Sequence, residues 1–339
     1  MTASFLSQGV QESARLAQTA SGLAGALDER MAAGYRSRFT NWDTSASVRS
    51  RPRRVVADGA ADDQLYFPPE LVPCFDHPLV RAAGTDARRR LLIRSLYNYL
   101  HFTAELESLA VIPVATELAR GRAGFFLSAA ARQDAYRIVT DEAWHAQFSD
   151  DLSRQVEAQT GETLPLLPAP QFVDRLTGIA DRLHTNVPAL GRLLFAVVSE
   201  TLVSSLLARI PHDQRLPAAV RDTVADHAMD EGRHHAYFRD VLGVVWHALT
   251  PAERRSVGPW LPSIILAFLE PDYRAVGQAL DGIGLTTEQI EAVLVESYPR
   301  QQVLARSAEA AQSTIRYFRE VGALDDPATA DAFGALLAA

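Results

Sequence analysis

The sequence Asp-Glu-x-x-His occurs twice in this chain, at residues 141–145 and 230–234. On an α-helix, a glutamate and a histidine three positions apart project from the same face. Each copy therefore offers a metal ion one carboxylate and one imidazole ligand. A single Glu-x-x-His is common on amphipathic helices, but two copies in one chain indicate a metal centre.

A glutamate on an apolar helical stretch precedes each copy, Glu105 before the first and Glu200 before the second. One glutamate from each of two helices plus Glu-x-x-His from each of two others is how a four-helix bundle holds a di-iron or di-manganese carboxylate site. Glu200 lies in an almost wholly apolar run, where an unpartnered glutamate would be costly to bury. The six predicted ligands are Glu105, Glu142, His145, Glu200, Glu231 and His234.

His227 is a candidate seventh ligand. It precedes Glu231 by four residues and His234 by seven, offsets that return to within about 40° and 20° of its own direction. By the same reasoning Glu107, two residues after Glu105, turns to the opposite face and is predicted to be exposed.

The ligand types and their charges favour iron. Oxygen and imidazole ligands without thiolate suit iron or manganese, and two ferrous ions would neutralise four buried carboxylates. After oxidation, an oxo or peroxo dianion derived from dioxygen would balance the remaining charge. Asp141 and Asp230, which precede the ligating glutamates, are predicted to accept the second N–H of the histidines and so to fix their tautomers.

Helical periodicity dominates from residue 86 onward and predicts an all-α bundle with extra helices around four metal-bearing ones. Ser128 is a candidate N-cap, the segments at 250–253 and 286–289 resemble helix starts, and Pro113 should kink or end its helix. The predicted core helices span 86–119, 128–158, 188–210 and 216–249. Shorter helices are predicted at 171–184, 251–269, 272–280, 287–296 and 300–321.

Composition excludes several functional classes. A net charge of -8 argues against a nucleic-acid surface, and a single cysteine, Cys74, permits no internal disulfide and no thiolate metal cluster. No secretory signal or membrane-length apolar run is evident, so we expect a soluble cytoplasmic protein. We predict an N-terminal arm (1–60, with a helix near 8–35 and a polar stretch that packs poorly on its own), a helical-bundle domain (61–325) and a C-terminal tail (326–339).

The motifs resemble the AurF-type di-iron N-oxygenases, the p-aminobenzoate N-oxygenase-like family. The resemblance rests on Tyr97-Asn98 ahead of Glu105, on the motif at 141–145, on Glu200-Thr201, and most strongly on His227-x-x-Asp230-Glu231-x-x-His234. It covers about residues 65–320. The additional histidine separates this family from ordinary ferritin-like proteins, which usually have two.

The resemblance implies a ferritin-like di-iron core, usually in a homodimer, that oxidises nitrogen with dioxygen. The substrate would be a small amine, hydroxylamine or hydrazine, and the product a hydroxylamine, nitroso, nitro or azoxy compound of natural-product biosynthesis. It assigns the six ligands above together with His227. Our hypothesis is that the diferrous pair binds dioxygen as a peroxo-diferric species and that a reductase or the substrate supplies electrons. No catalytic residue beyond the metal ligands is predicted.

The substrate of this chain is expected to differ from aminobenzoate. The resemblance leads us to expect an arginine five positions before the first ligand glutamate, where it would meet a substrate carboxylate, but this position holds Leu100. An apolar side chain cannot make that bidentate contact, and Arg94 is the alternative basic residue. The predicted substrate pocket comprises Tyr97, Leu100, His101 and Ser204.

Other functions use the same kind of bundle. A di-iron carbon hydroxylase or desaturase would share most of the ligands, and a radical-generating subunit would need a tyrosine beside the cluster. A ferroxidase or iron-storage protein would typically be shorter and would lack His227. Product analysis separates these alternatives.

Overall fold

The computed structural model describes residues 34–57, 64–183, 189–207 and 209–337, with a few isolated positions before residue 34; the side chains of 203–206 are not described. Most of the helix predicted near residues 8–35 therefore lies outside the described residues. Within these ranges the regular structure is helical and contains no strand, which confirms the predicted all-α fold. No helix in this part of the chain is long and apolar enough to cross a membrane.

Four long helical stretches form the core and agree with the predicted ones to within a few residues. Helix α4 packs on α6, α8 packs on α9, and α6 also contacts α9. The helices are α1 (Trp42–Ser45), α2 (Ser47–Ser50), α3 (Pro78–Ala82), α4 (Thr85–Leu106), α5 (Ile112–Ala119), α6 (Ala129–Thr160), α7 (Gln171–Ala180), α8 (Leu190–Leu207), α9 (Ala218–Ala248), α10 (Pro251–Val257), α11 (Leu261–Leu269), α12 (Tyr273–Gly282), α13 (Thr287–Ser297), α14 (Arg300–Ala310), α15 (Gln312–Glu320) and α16 (Pro327–Leu337).

The helix starts read from the sequence are confirmed. The Ser128 hydroxyl accepts a hydrogen bond from the Ala131 amide (3.2 Å) at the start of α6. Thr250 and Thr286 form capping boxes with Glu253 and Gln289. These caps satisfy amides that the first helical turn leaves without a backbone partner.

Pro113 interrupts regular α-helix but does not end the helical stretch. Between α4 and α5 the backbone forms a π-helical turn at Glu107–Val111. Proline lacks an amide hydrogen, and its ring clashes with the carbonyl four residues earlier, here that of Leu109. The wider π turn contains that carbonyl, and such turns often occur at functional sites.

The segment at residues 34–57, which includes part of the polar stretch predicted to pack poorly on its own, packs against the bundle. Phe39, Trp42, Ala46 and Ser47 are all buried. At the other end of the chain, α16 lies within the predicted tail, and its Phe333 is also buried. The proposed division into three regions stays a prediction.

A close contact between α16 and the turn at Gly258–Trp260 supports a stability prediction. A Cβ built on Gly258 would overlap the hydroxyl of the fully buried Thr329 and come within 3.1 Å of its Cβ. We expect Gly258→Ala to destabilise the protein by about 1–3 kcal/mol, the usual cost of overpacking. The control is Gly178→Ala on the exposed face of α7, where a Cβ meets nothing within 4 Å and a gain of about 0.4–1 kcal/mol is expected. Chemical denaturation measures both, and equal stabilities would contradict the prediction.

Candidate metal centre

Acids and imidazoles from three helical stretches converge in the centre of the bundle. They form two overlapping groups, and in each group one potential ligand atom per residue lies within 4.8 Å of the others. The first group is Glu107, Glu142, His145 and His227, and the second is Glu142, His145, Glu231 and His234. All six side chains are buried, so the cluster is shielded from bulk solvent.

Glu200 lies beside the second group. It is the buried glutamate of α8, and its Oε2 lies 3.7 Å from Nδ1 of His234. The cluster therefore contains four glutamates and three histidines, and every core helical stretch contributes to it.

The first acidic residue of the cluster is Glu107 and not Glu105. Glu107 is only 1% exposed, whereas Glu105 is half-buried and belongs to neither metal-capable group of the described residues. The sequence interpretation was wrong in placing Glu107 on the surface. Leu100 and Thr103, seven and four residues earlier, are also buried, so Glu107 continues the buried stripe of α4.

The histidine rings turn defined nitrogen atoms toward the carboxylates. Nδ1 of His145 lies 2.7 Å from Oε2 of Glu142, and Nδ1 of His234 lies 2.8 Å from Oε1 of the same residue. His227 instead presents Nε2, which lies 3.1 Å from Oε1 of Glu231. All three imidazoles thus direct one nitrogen into the cluster.

The aspartates preceding the ligand motifs contact the other nitrogen of two of these rings, and they do so in a crossed arrangement. Nε2 of His145 lies 3.2 Å from Oδ2 of Asp230, and Nε2 of His234 lies 3.1 Å from Oδ2 of Asp141. Each aspartate therefore serves the histidine of the other motif. An Nε2–H donated to a carboxylate leaves Nδ1 with a lone pair for a metal ion.

The cluster has the donor set of a cation site. Seven potential ligand atoms are buried and form no hydrogen bond within the described part of the chain, although several lie close together. Buried polar atoms are normally paired, so such a group of acceptors requires a partner. These atoms are Oε2 of Glu107, Oε1 of Glu142, Oε2 of Glu200, both carboxylate oxygens of Glu231, Nε2 of His227 and Nδ1 of His234.

Burial and mutual repulsion oppose the ionisation of two carboxyl groups in the cluster, those of Glu107 and Glu200. Burial, together with the carboxylates of Glu142, Glu200 and Glu231, raises the pKa of Glu107 well above its ordinary value. Burial and the neighbouring carboxylates likewise raise the pKa of Glu200. Burial alone would raise the pKa of Glu231 too, but the imidazoles of His234 and His227 lower it. Cations placed among these groups would stabilise all four carboxylates.

The residues predicted to line a substrate pocket are only partly placed around the cluster. Leu100 is buried on the α4 stripe that leads to Glu107. Tyr97 is directed elsewhere, because its hydroxyl donates to the carbonyl of Glu162 (2.8 Å). His101 is half-buried, and its Nε2 contacts the carbonyl of Pro168 (3.0 Å).

Two further expectations about the pocket concern Ser204 and Arg94. The side chain of Ser204 lies outside the described residues. Arg94 is already engaged, since its Nε donates to Oε1 of Glu162 (2.5 Å). It is therefore a poor candidate for a second carboxylate.

Comparison with known proteins identifies the family. A family model described as P-aminobenzoate N-oxygenase AurF matches residues 54–322. The chain belongs to the AurF family. A curated relative, the 4-aminobenzoate N-oxygenase of Streptomyces thioluteus, is 25% identical over 254 residues, which cover 70% of this chain and 74% of the relative. The resemblance seen in the sequence is confirmed, and with it the ferritin-like all-α fold.

Proposed function

We propose that this AurF-family protein is a non-haem di-iron oxygenase that uses dioxygen to oxidise the nitrogen of a small amine, hydroxylamine or hydrazine. The main support for the proposal is the buried cluster of four glutamates and three histidines, in which seven potential ligand atoms have no hydrogen-bond partner among the described residues. Membership of a family named for N-oxygenation supports nitrogen as the atom attacked.

The residues present fit two metal ions. One would be held by the first group, which includes Glu107 and His227, and the other by the second group, which includes Glu231 and His234. Glu142 and His145 belong to both groups, and Glu200 lies beside the second. Two divalent ions would balance the four carboxylate charges, and nitrogen and oxygen ligands without thiolate suit iron.

Bound iron would supply the redox chemistry of dioxygen activation. The protein's own groups perform the remaining tasks. Buried side chains exclude bulk water from the cluster, and Asp141 and Asp230 hold the Nε2 protons of the two motif histidines. Conversion of an amine to a hydroxylamine consumes one dioxygen, two electrons and two protons and releases one water. An electron donor is therefore required, either a reductase or a partly oxidised substrate.

The substrate proposed here lacks the carboxylate of aminobenzoate. With Glu107 as the first acidic residue, the position five residues earlier holds Phe102 and not Leu100. Phe102 packs against the rings of Phe172 and Phe268, with centroids 5.5 and 5.8 Å away. The corrected position is therefore also apolar and offers no bidentate contact to a carboxylate.

Anaerobic reconstitution tests the proposal. The full chain loaded with ferrous iron should retain two iron ions per chain. One pulse of oxygen should then yield one oxygenated nitrogen per cluster from a panel of aryl amines, alkyl hydroxylamines and hydrazines. Mass spectrometry of the products decides between the alternatives. Hydroxylated or desaturated carbon would indicate a carbon oxygenase, and uptake of many iron ions without substrate oxidation would indicate a ferroxidase.

A further inference from the structure

We propose that Trp42 and the backbone amide of Ser47 are positioning groups for the metal-binding histidines. They belong to residues 39–54, here called the strap, which crosses α6 and α9 and holds the two aspartates behind His145 and His234. This inference rests on the proposed function, since it assigns a role toward the same metal centre. Most of the strap precedes the region matched by the family model, which begins at residue 54.

The Trp42 indole holds Asp141, the aspartate behind His234. Its Nε1 donates to both carboxylate oxygens of Asp141, at 2.8 and 2.9 Å. Oδ2 of Asp141 also contacts Nε2 of His234. All three side chains are buried, so the carboxylate is held from one side by the strap and acts on the histidine from the other.

The backbone amide of Ser47 holds Asp230, the aspartate behind His145. Its amide donates to both oxygens of Asp230, at 3.1 and 3.2 Å, and a guanidinium N–H of Arg233 donates to the same carboxylate. Oδ2 of Asp230 contacts Nε2 of His145. Two strap positions five residues apart therefore serve both motif histidines, each through the aspartate of the opposite motif.

This arrangement has a direct consequence for metal binding. A carboxylate that is fixed by N–H donors presents its remaining lone pair in one direction, and it thereby fixes the imidazole that donates to it. Nδ1 of each motif histidine has a lone pair for a metal ion only while the proton of the neutral ring is on Nε2. Losing the Trp42 indole would remove the N–H that holds Asp141, and losing the Ser47 amide would leave Asp230 with its Arg233 contact but without the second donor. Either change would weaken the hold of the aspartate on its imidazole.

The strap is itself anchored to the bundle. Phe39 stacks near the His234 ring, with centroids 6.1 Å apart and planes 15° apart. Arg53 pairs with Asp151, and Arg54 makes a two-point contact with Asp226 at 2.7 and 2.9 Å. These contacts fix both ends of the strap and position its donors.

The alternative is that Trp42 only fills space, and one substitution separates the two roles. Trp42→Phe keeps an aromatic ring but removes the N–H. Trp246→Phe is the matched control, because Trp246 is also buried and its Nε1 has no hydrogen-bond partner within the described ranges. Trp246 lies twelve residues after His234 on α9, roughly 18 Å along the helix.

The Ser47 amide is tested by a second variant, Ser47→Pro, with Ser47→Ala as its control. Ser47→Pro removes the amide hydrogen at the first residue of α2, a position where proline is tolerated, and Ala46 already has the extended conformation that precedes proline (φ -61, ψ 143). Ser47→Ala keeps the amide and removes a hydroxyl that has no partner among the described residues.

Cobalt(II) titration of the full-length, metal-free chain tests the inference without relying on turnover. Trp42→Phe and Ser47→Pro should each weaken cobalt binding by about 10-fold, the lower end of the effect of losing a direct partner of a metal ligand, because both donors act through the aspartate that is that partner. Their visible cobalt spectra should also change. Trp246→Phe and Ser47→Ala should match wild type in both measurements, and melting curves of the metal-free proteins check folding.

The outcomes are distinguishable. Wild-type affinity and spectrum in both Trp42→Phe and Ser47→Pro would overturn the strap's role and leave the proposed function standing. Equal weakening in the variants and their controls would assign the effect to packing and would also overturn it. A wild-type chain that binds no cobalt and no iron would contradict the proposed function itself. If one strap variant fails to fold, the other still decides, because the two act on different histidines.

Discussion

Replacing Glu107 by glutamine should abolish most metal binding and oxygenase turnover, whereas replacing Glu105 by glutamine should leave both near wild type. Glutamine keeps the size of the side chain but removes the anionic oxygen. Oε2 of Glu107 is buried among the ligand atoms and has no hydrogen-bond partner in the described residues. We expect a loss of more than about 100-fold in metal affinity for Glu107→Gln, because even an outer-shell partner contributes about 10–100-fold.

Iron content after anaerobic reconstitution and product yield after one oxygen pulse measure this effect. The metal-free Glu107→Gln protein should melt no lower than wild type, because glutamine replaces a carboxyl group whose ionisation is already opposed by burial and by the neighbouring carboxylates. That result would separate loss of a ligand from loss of the fold. Normal iron content in Glu107→Gln together with iron loss in Glu105→Gln would instead restore the assignment made from spacing alone.

The choice between Glu105 and Glu107 shows where a sequence pattern stops being informative. Two glutamates two residues apart point to opposite faces, so only one can be a ligand, and the choice depends on the rotational phase of the helix. Leu109, which shares a helical face with Glu105, is 45% exposed. Leu100 and Thr103, seven and four residues before Glu107, are both buried, and they show which face of this helix points into the core. A helical face defined by these two residues would have predicted that Glu107, and not Glu105, is the buried glutamate.

The features that could be predicted are local ones. The helices, the N-cap at Ser128 and the two Glu-x-x-His motifs depend on residues within a few positions of one another. The strap could not be predicted in this way, because Trp42 contacts an aspartate 99 residues away and Ser47 one that is 183 residues away. Neither contact leaves a periodic signal in the sequence. The crossed pairing of the aspartates escaped prediction for the same reason, since each contacts the motif on the other helix.

Replacing His227 by alanine should reduce the protein from two metal ions per chain to about one and should eliminate nitrogen oxidation. His227 belongs to only one of the two metal-capable groups. Its Nε2 lies 3.1 Å from Oε1 of Glu231 and 3.8 Å from Oε1 of Glu107. The second group does not include this histidine, so it should still hold an ion. Because the proposed reaction needs a pair of irons, turnover should fall further than metal content, by more than about 100-fold.

His235→Ala is the control for this substitution, because it removes an imidazole from the same helix outside the cluster. Nε2 of His235 contacts the hydroxyl of Tyr317 at 2.8 Å and belongs to neither metal-capable group. We therefore expect two metal ions per chain and near wild-type yield from His235→Ala. Metal content per chain, measured by mass spectrometry after removal of free iron, distinguishes the variants. Two retained ions and normal product yield in His227→Ala would show that six ligands suffice, and the first metal position would then have to be held without His227.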